Sequence, residues 1–241
     1  MRVLDFAFHD PALNLALDEV LLDSAERGVH GESLRFWESP NPFVVLGVSQ
    51  RVRDEVHKDA CQRDGIPILR RCSAGGCVLQ GPGSLNFNLV LSYDRDPDLR
   101  NIRASYCYIL CRVREVLATR GVQVVLEGIS DLALNGRKVS GNAQKRRKRF
   151  LLHHGTLLYR PDIEAMARYL REPNDRPAYR GTRGHHAFVS LLPLGPEQLR
   201  AAVCEAFVVS MDAEEPHPDE LFAARTLAAE KYRQDSWTYR R

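Results

Sequence analysis

The sequence predicts a mixed α/β chain, with short apolar strands interleaved with amphipathic helices. Three observations carry that reading. Apolar residues recur at helical spacing in several segments, as in Leu13, Leu17, Val20 and Leu21. Runs such as Phe43 to Gly47 and Asn86 to Ser92 are short, apolar and bounded by turn residues. An Asn135-Gly136 pair lies between alternating segments, a strong signal for a tight β-hairpin.

Arg2 to Phe8 reads as a first strand. Asp10 and Pro11 suit the cap and first turn of a helix that ends near Gly28, with Asn14, Asp18 and Asp23 off its apolar face. Leu34 to Glu38 and Phe43 to Gly47 are two strands split by Pro40 and Pro42. Trp37 in the first is either core filler or the wall of an apolar pocket. Asp54 to Asp64 is a polar helical segment closed by Gly65, and Ile66 to Leu69 is a strand. After Asn86 to Ser92 comes a loop from Asp94 to Asp98. Tyr106, Ile109, Leu110, Val113 and Leu117 then mark a long helix ending at Gly121. Val122 to Leu126 and Phe150 to Tyr159 are strands, and Asp162 to Leu170 is a short helix. Pro173 to His186 is polar and rich in Arg, Pro and Gly, the composition of a mobile loop that covers a site. Pro196 to Val208 and Asp219 to Glu230 are helices, and the aromatic tail through Trp237 is expected to pack back on the chain.

Two stretches carry chemistry. In the first, strand residues deliver Arg70 and Arg71 to a loop of small residues, Cys72-Ser73-Ala74-Gly75-Gly76-Cys77, which opens into an apolar strand at Val78. Small residues let backbone N–H groups approach a ligand, and successive N–H groups form a concavity for anions. Arginine adds a fixed fork of donors for phosphate or carboxylate. In the second, Lys138 starts the strand after the Asn135-Gly136 turn, and Gly141 and Ala143 leave room beside it for a ligand lying across the strand. The basic run Lys145 to Arg149 reads as an exposed hairpin tip or as a docking patch for an acidic partner. His153 and His154 point to opposite faces of their strand, which argues against a shared metal.

Composition narrows the classes. With 241 residues the chain can bury a core without staples, as one domain over 1–241. A net charge of +3 does not call for nucleic acid. Six cysteines without paired short spacing suggest reduced thiols in a cytoplasmic protein, and no metal site. The first ten residues lack a secretory pattern, and no apolar run is long enough for a membrane span.

In these motifs the chain resembles the lipoate–protein ligase A family, within the wider biotin/lipoate ligase and transferase group. The first signature stands as Arg70-Arg71-Cys72-Ser73-Ala74-Gly75-Gly76-Cys77-Val78, closing with Gly83-Ser84-Leu85-Asn86-Phe87. The second stands as Ser130-Asp131-Leu132 and Lys138-Val139-Ser140-Gly141-Asn142-Ala143. The third is His153-His154-Gly155-Thr156-Leu157-Leu158. Ala74 replaces a glycine of the pattern, and Gln80-Gly81 replaces a His-Asp pair. The resemblance implies an α/β (α+β) fold with a mixed, mostly antiparallel sheet flanked by helices, in a short form without the C-terminal accessory domain.

It also implies a reaction. Lipoate and ATP give lipoyl-AMP, and a lysine of an acceptor lipoyl domain or glycine-cleavage H-type protein then takes the acyl group. On that reading Lys138 is the catalytic cation. The loop Gly75, Gly76, Cys77, Val78 and Leu79 contacts the nucleotide, with Arg71 on the phosphate side. Asn86 and Asp131 orient the nucleotide or a Mg²⁺. Trp37 and Arg70 belong to the acyl side, and Ser73, Ser140, Gly141, His154, Gly155 and Thr156 line the site. A separate accessory subunit serves some short relatives. The alternative is an ATP-independent octanoyl or lipoyl transferase fed by an acyl-carrier protein or a lipoyl-protein. Relatives of that kind use a cysteine after the His-Gly-Thr strand, and this chain has none between Tyr159 and Val203. Cys72 and Cys77 would need depressed pKa values to act instead. A non-catalytic binding module is a third reading, and a biotin ligase is disfavoured by the lack of its basic glycine-arginine loop.

Overall fold

The computed structural model describes every residue from Met1 to Arg241. The chain opens with β1 (Arg2–Asp5), α1 (Pro11–Arg27), β2 (Ser33–Trp37) and β3 (Phe43–Leu46). It continues through α2 (Val52–Glu55), α3 (Lys58–Asp64), β4 (Ile68–Arg70), β5 (Val78–Gln80) and β6 (Ser84–Ser92). Then come α4 (Ile102–Thr119), β7 (Val125–Glu127), β8 (Asp131–Leu134), β9 (Arg137–Arg146) and β10 (Phe150–Leu158). The last elements are α5 (Ile163–Tyr169), α6 (His185–Phe188), α7 (Pro196–Ala206), α8 (Pro218–Leu227) and α9 (Asp235–Thr238).

Seven strands form one sheet in the order β1-β2-β6-β10-β9-β8-β7, and β4-β3-β5 form a second. In the large sheet β1 and β2 are parallel and every other pair is antiparallel. This is the mixed, mostly antiparallel α/β fold the motifs imply. Strand alternation sorts the large sheet's two faces. Leu85, Phe87, Leu89 and Leu91 of β6 join Leu151 and Leu157 of β10 against α4 and α7. Val90 and Leu152 face the other way, with α1 and Trp37. A third cluster joins the small sheet to α2, α3, α5 and α6. No helix is long and apolar enough to cross a membrane.

The helix ends follow local chemistry. Asp10 accepts from the Ala12 N–H, Pro11 sits in the first turn, and Gly28 closes α1 in the left-handed region. Asn135 and Gly136 both have positive φ, 52° and 70°, as a two-residue hairpin requires. Several expected boundaries shift. The first strand stops at Asp5. The Asp54 to Asp64 segment divides into α2 and α3 because Val56 leaves the helix to bridge Leu170. Val122 and Val124 enter the core ahead of a strand that starts only at Val125.

The largest difference lies in α1. Asn14 and Asp18, expected off the apolar face, are fully buried. α1 is covered by the sheet on one side and by α8 and a π-helical turn at Ala228–Tyr232 on the other. Its polar residues are therefore enclosed, and they find a partner in Arg35.

Candidate active site

The glycine loop is set by close backbone approach. A Cβ on Gly47 would collide with the Gly75 carbonyl, and a Cβ on Gly75 would lie 3.3 Å from Ala143 Cβ. The loop thus lies between the turn after β3 and strand β9. Gly75 has φ +90°, a conformation that side chains disfavour. Arg71 holds the loop from inside. Its Nε donates to Ser73 Oγ at 3.0 Å, and its Nη2 donates to the Ala74 and Gly76 carbonyls at 2.6 and 2.9 Å.

Lys138 extends from the start of β9 toward the same place. Its Nζ lies 2.8 Å from Asp131 Oδ1 across the hairpin. The other Asp131 oxygen accepts from the Tyr179 hydroxyl at 2.8 Å. Burial, then the Asp131 carboxylate, pushes the Tyr179 phenol far above its usual range and keeps it a donor. The Lys138 side chain runs directly over Gly141, where a Cβ would stand 2.9 Å from both Cε and Nζ.

These elements enclose a cavity of about 110 Å³. One wall is Cys77, Val78, Leu79 and Gln80, and Lys138, Gly141, Thr156 and Leu158 face it from β9 and β10. Met166 of α5 and Leu170 just after it close a side, and Arg180, His185, Phe188 and Val189 close the rest. Phe188 and Val189 lie just past, and Arg180 and His185 within, the Pro173 to His186 segment expected to be a mobile loop. It instead carries a 3₁₀ turn at Ala178–Arg180 and helix α6. Arg137 Nη2 donates to the His186 and Val189 carbonyls at 2.7 and 2.6 Å, and Arg183 donates to the Gly136 carbonyl at 2.9 Å. Arg180 is 5% exposed, lies 4.6 Å from the Phe188 ring centre and pairs with Glu172.

The structure brings Cys77, Val78, Leu79, Lys138, Gly141 and Thr156 together around the cavity. Gly76 lies in the loop beside them, with open space where a Cβ would be. Ser73 and Ser140 are buried supports: the Ser73 carbonyl accepts from the Val48 N–H, and Ser140 Oγ accepts from Asn142 Nδ2 at 3.1 Å. Gly155 is a packing requirement, since a Cβ there would collide with the Phe87 ring.

Four expectations need correction. Arg70 does not line the cavity. Its guanidinium donates to the carbonyls of Gly47 at 2.8 Å, Gln50 at 2.7 Å and Thr238 at 2.6 Å, which ties the C-terminal turn to the core. Arg71 has its donors engaged by the loop rather than offered to a phosphate. Trp37 and His154 lie on the buried α1 side of the sheet, away from the cavity lining. Three arginines of the Lys145 to Arg149 run are likewise committed. Arg147 pairs with Asp23 at 2.7 Å, Arg149 pairs with Glu26, and Arg146 donates to the Leu99 carbonyl. Only Lys145 and Lys148 remain without such partners, so the run mainly fastens the hairpin to α1.

Asn86 and Asp131, expected to orient a nucleotide or Mg²⁺, already have protein partners. Asn86 exchanges amide hydrogen bonds with Gln80 at 2.8 and 3.1 Å and accepts from Thr156 Oγ1 at 3.1 Å. Asp131 is shared between Lys138 and Tyr179. One carboxylate paired to an amine is not a donor set for a protein-held Mg²⁺. Gln80 thus serves in an amide ring with Asn86, at the position where the sequence departs from the motif that the resemblance implies.

Below the sheet lies a buried polar cluster that the helical pattern concealed. Arg35 donates to Asp18 Oδ1 at 2.5 Å, to Asn14 Oδ1 at 2.6 Å and to the Phe6 carbonyl at 3.1 Å. His154 Nδ1 lies 3.6 Å from the other Asp18 oxygen. Burial pushes the Asp18 carboxyl up, yet Arg35, then His154 and Asn88, outweigh it and hold it below its usual range. His153, on the opposite face, packs between Phe87 and Tyr106, and burial pushes its pKa down to about 3.

The thiols are quiescent. Burial, with Glu19 adding to it, pushes Cys72 up to about 12. Burial also pushes Cys77 up far beyond its usual value, against the opposing pull of Arg71. Neither is a poised thiolate.

The fold is that of lipoate–protein ligase catalytic domains. The chain overlays the bi-partite lipoate protein ligase of Thermoplasma acidophilum, described with its E2 lipoyl domain, at TM-score 0.84, with 23% identity and coverage of 99% of this chain and 95% of that one. It overlays a lipoate-protein ligase A bound with ATP at TM-score 0.81, with 24% identity and coverage of 99% and 98%. In sequence, residues 10–208 match the lipoyl protein ligase A/B catalytic domain, and the chain belongs to that family. It is 29% identical to the lipoate-protein ligase LplJ of Bacillus subtilis over 73% of this chain, spanning 50% of that protein's length. It is 29% identical to the octanoyltransferase LipM of Carboxydothermus hydrogenoformans over 99% of this chain and 98% of that one. Proteins named lipoate-protein ligase and octanoyltransferase thus both resemble this chain, and both are enzymes.

Proposed function

We propose that residues 1–241 act as one catalytic domain that attaches a lipoyl group to a specific lysine of an acceptor lipoyl domain or H-type protein. Lipoate and ATP form lipoyl-AMP with release of pyrophosphate. The acceptor amine then attacks the acyl carbon, the bond to AMP breaks, and the amine loses a proton. The observation that carries this reading is the Lys138 amine, held by Asp131 in the cavity that also contains the strand leaving the glycine loop. A fixed cation there stabilises charge developing on the acyl carbonyl and phosphate oxygens. Support also comes from the ATP bound to one structural neighbour and the lipoyl domain paired with another.

A cavity of about 110 Å³ is smaller than the roughly 300–1,000 Å³ of small-molecule sites. The cover from Tyr179 to Val189 therefore has to shift as substrates bind. Polar ties hold it to Asp131, Gly136 and Arg137, and Phe188 and Val189 pack in the third apolar cluster, so opening the cover releases both.

The second reading is the ATP-independent octanoyl or lipoyl transferase. It is favoured by the near full-length similarity to octanoyltransferases. The quiescent Cys72 and Cys77 weigh against a thioester route. One assay separates the two. The protein is mixed with lipoate, ATP, Mg²⁺ and a lipoyl domain, and AMP release and acceptor mass are followed. AMP formed in step with acceptor modification is expected. Modification from an octanoyl-acyl-carrier protein without ATP, and none from lipoate with ATP, would replace the ligase reading with the transferase.

A further inference from the structure

We propose that the basic groove between α2, α3, α5 and the C-terminus is the docking surface for the acidic face of the acyl-accepting protein domain. The groove has a volume of about 630 Å³ and lies on the far side of α5 from the cavity. Arg53, Lys58, Arg63, Arg168, Arg171 and Arg241 line it, and all six are exposed. Against them stand three carboxylates. Asp64 pairs with Arg168 at 2.7 Å and Arg63 at 3.4 Å, Asp54 pairs with Arg53 at 3.6 Å, and Asp59 lines the groove. Lys58, Arg171 and Arg241 have no carboxylate partner within the chain. Lys58 sits 5.1 Å from the Tyr239 ring centre, which anchors it against the C-terminal segment.

The chain's net charge is only +3, so this excess is local rather than a general basicity. The charged residues come from α2, α3, the region of α5 and the C-terminal segment, and Val56 and Ala167 share the lining with them. Exposed cations contributed by several elements beside apolar lining residues suit Asp and Glu side chains on a protein face. In the other basic feature of the sequence, Lys145 to Arg149, Arg147 and Arg149 are paired with carboxylates of α1, and the run lies outside this groove.

Position ties the groove to the reaction. Met166 of α5 and Leu170 just after it line the cavity, while Ala167 and Arg168 of α5 and Arg171 beyond its end line the groove. A helix is about 10–12 Å across. A partner seated in the groove is thus one helix away from the Lys138 cavity. The proposal rests on the reading that this enzyme modifies a protein acceptor.

The test measures binding as well as turnover. An Asp- and Glu-rich lipoyl domain is titrated against the wild type, against Lys58→Glu alone, and against Lys58→Glu/Arg63→Glu/Arg241→Glu. All three substitutions are on exposed side chains outside the cavity, and thermal melts verify folding. The triple variant is expected to raise the dissociation constant about tenfold and to flatten its salt dependence. The single variant gives a smaller effect in the same direction. Lipoyl-AMP formation without acceptor stays at the wild-type rate. Unchanged affinity and salt slope in the triple variant overturn the proposal. So does equal affinity for a DNA duplex, which would make the groove a general polyanion site. If the wild type makes no lipoyl-AMP yet binds the acceptor through these charges, the ligase reading falls and the docking surface stands.

Discussion

Replacing Lys138 by alanine separates a catalytic role from a structural one. The amine forms one ion pair, 2.8 Å from Asp131, with side chains 26% and 12% exposed. A pair of this exposure contributes roughly 0.2–1 kcal/mol. Asp131 keeps the Tyr179 hydroxyl when the lysine is removed, so no carboxylate is stranded. The melting temperature should therefore fall by no more than about 2–4 °C. Loss of a fixed group aimed at developing negative charge lowers turnover by about 10²–10³-fold, or roughly 2.7–4 kcal/mol. The catalytic loss should thus exceed the stability loss severalfold. Single-turnover formation of lipoyl-AMP, followed beside a thermal melt of the same preparation, reads both. Lys138→Arg should not rescue the rate, because the side chain runs at close quarters over Gly141 and leaves no width for a guanidinium. A kcat/KM for Lys138→Ala within about fivefold of wild type would remove this residue from the chemistry, because a transition-state contact of this kind supplies far more.

Other outcomes follow from the same geometry. Asp18→Asn leaves the fully buried Arg35 uncompensated and should cost about 3–5 kcal/mol in urea unfolding, whereas Asp18→Leu/Arg35→Met recovers most of it; a double variant as unstable as the single one would refute this. His153 has a folded pKa near 3 against an ordinary 6.5, so the unfolded chain takes up a proton that the folded chain refuses. Its contribution is complete above about pH 6.5 and declines as the pH falls toward 3, by about 2 kcal/mol between pH 7 and 5. His153→Gln should flatten that part of the stability profile. Cys72→Ser and Cys77→Ser should each retain ATP-driven modification, and abolition of turnover in a folded variant would point to a thiol intermediate. Gly47→Ala should displace the glycine loop through its Gly75 carbonyl and cut activity without a matching loss of melting temperature.

Much of this molecule is legible along the chain because the relevant forces are local. Asp10 and Gly28 bound α1, and Asn135-Gly136 turns the β8–β9 hairpin, through hydrogen bonds and backbone preferences that span a few residues. Period-two and period-3.6 patterns likewise place most of the strands and helices. The motifs around Gly75, Lys138 and His153 identify the family, and they bring three distant segments to notice together.

What the order of residues does not contain is the direction in which a polar side chain is satisfied. Arg70 and Arg71 are adjacent and chemically alike, yet one clamps the C-terminal turn and the other the glycine loop. That division depends on which carbonyls the folded backbone leaves free within reach. Asp18 looks solvated on a helical wheel and is buried because it faces the sheet, where Arg35 of β2 and His154 of β10 meet it. Tyr179 and Arg180 sit in a polar stretch with no periodic signal, and they meet Asp131 and Phe188 only once β8 and β9 have paired. Long-range packing decides these pairings, since burial forces each polar group to find a partner wherever the tertiary structure supplies one.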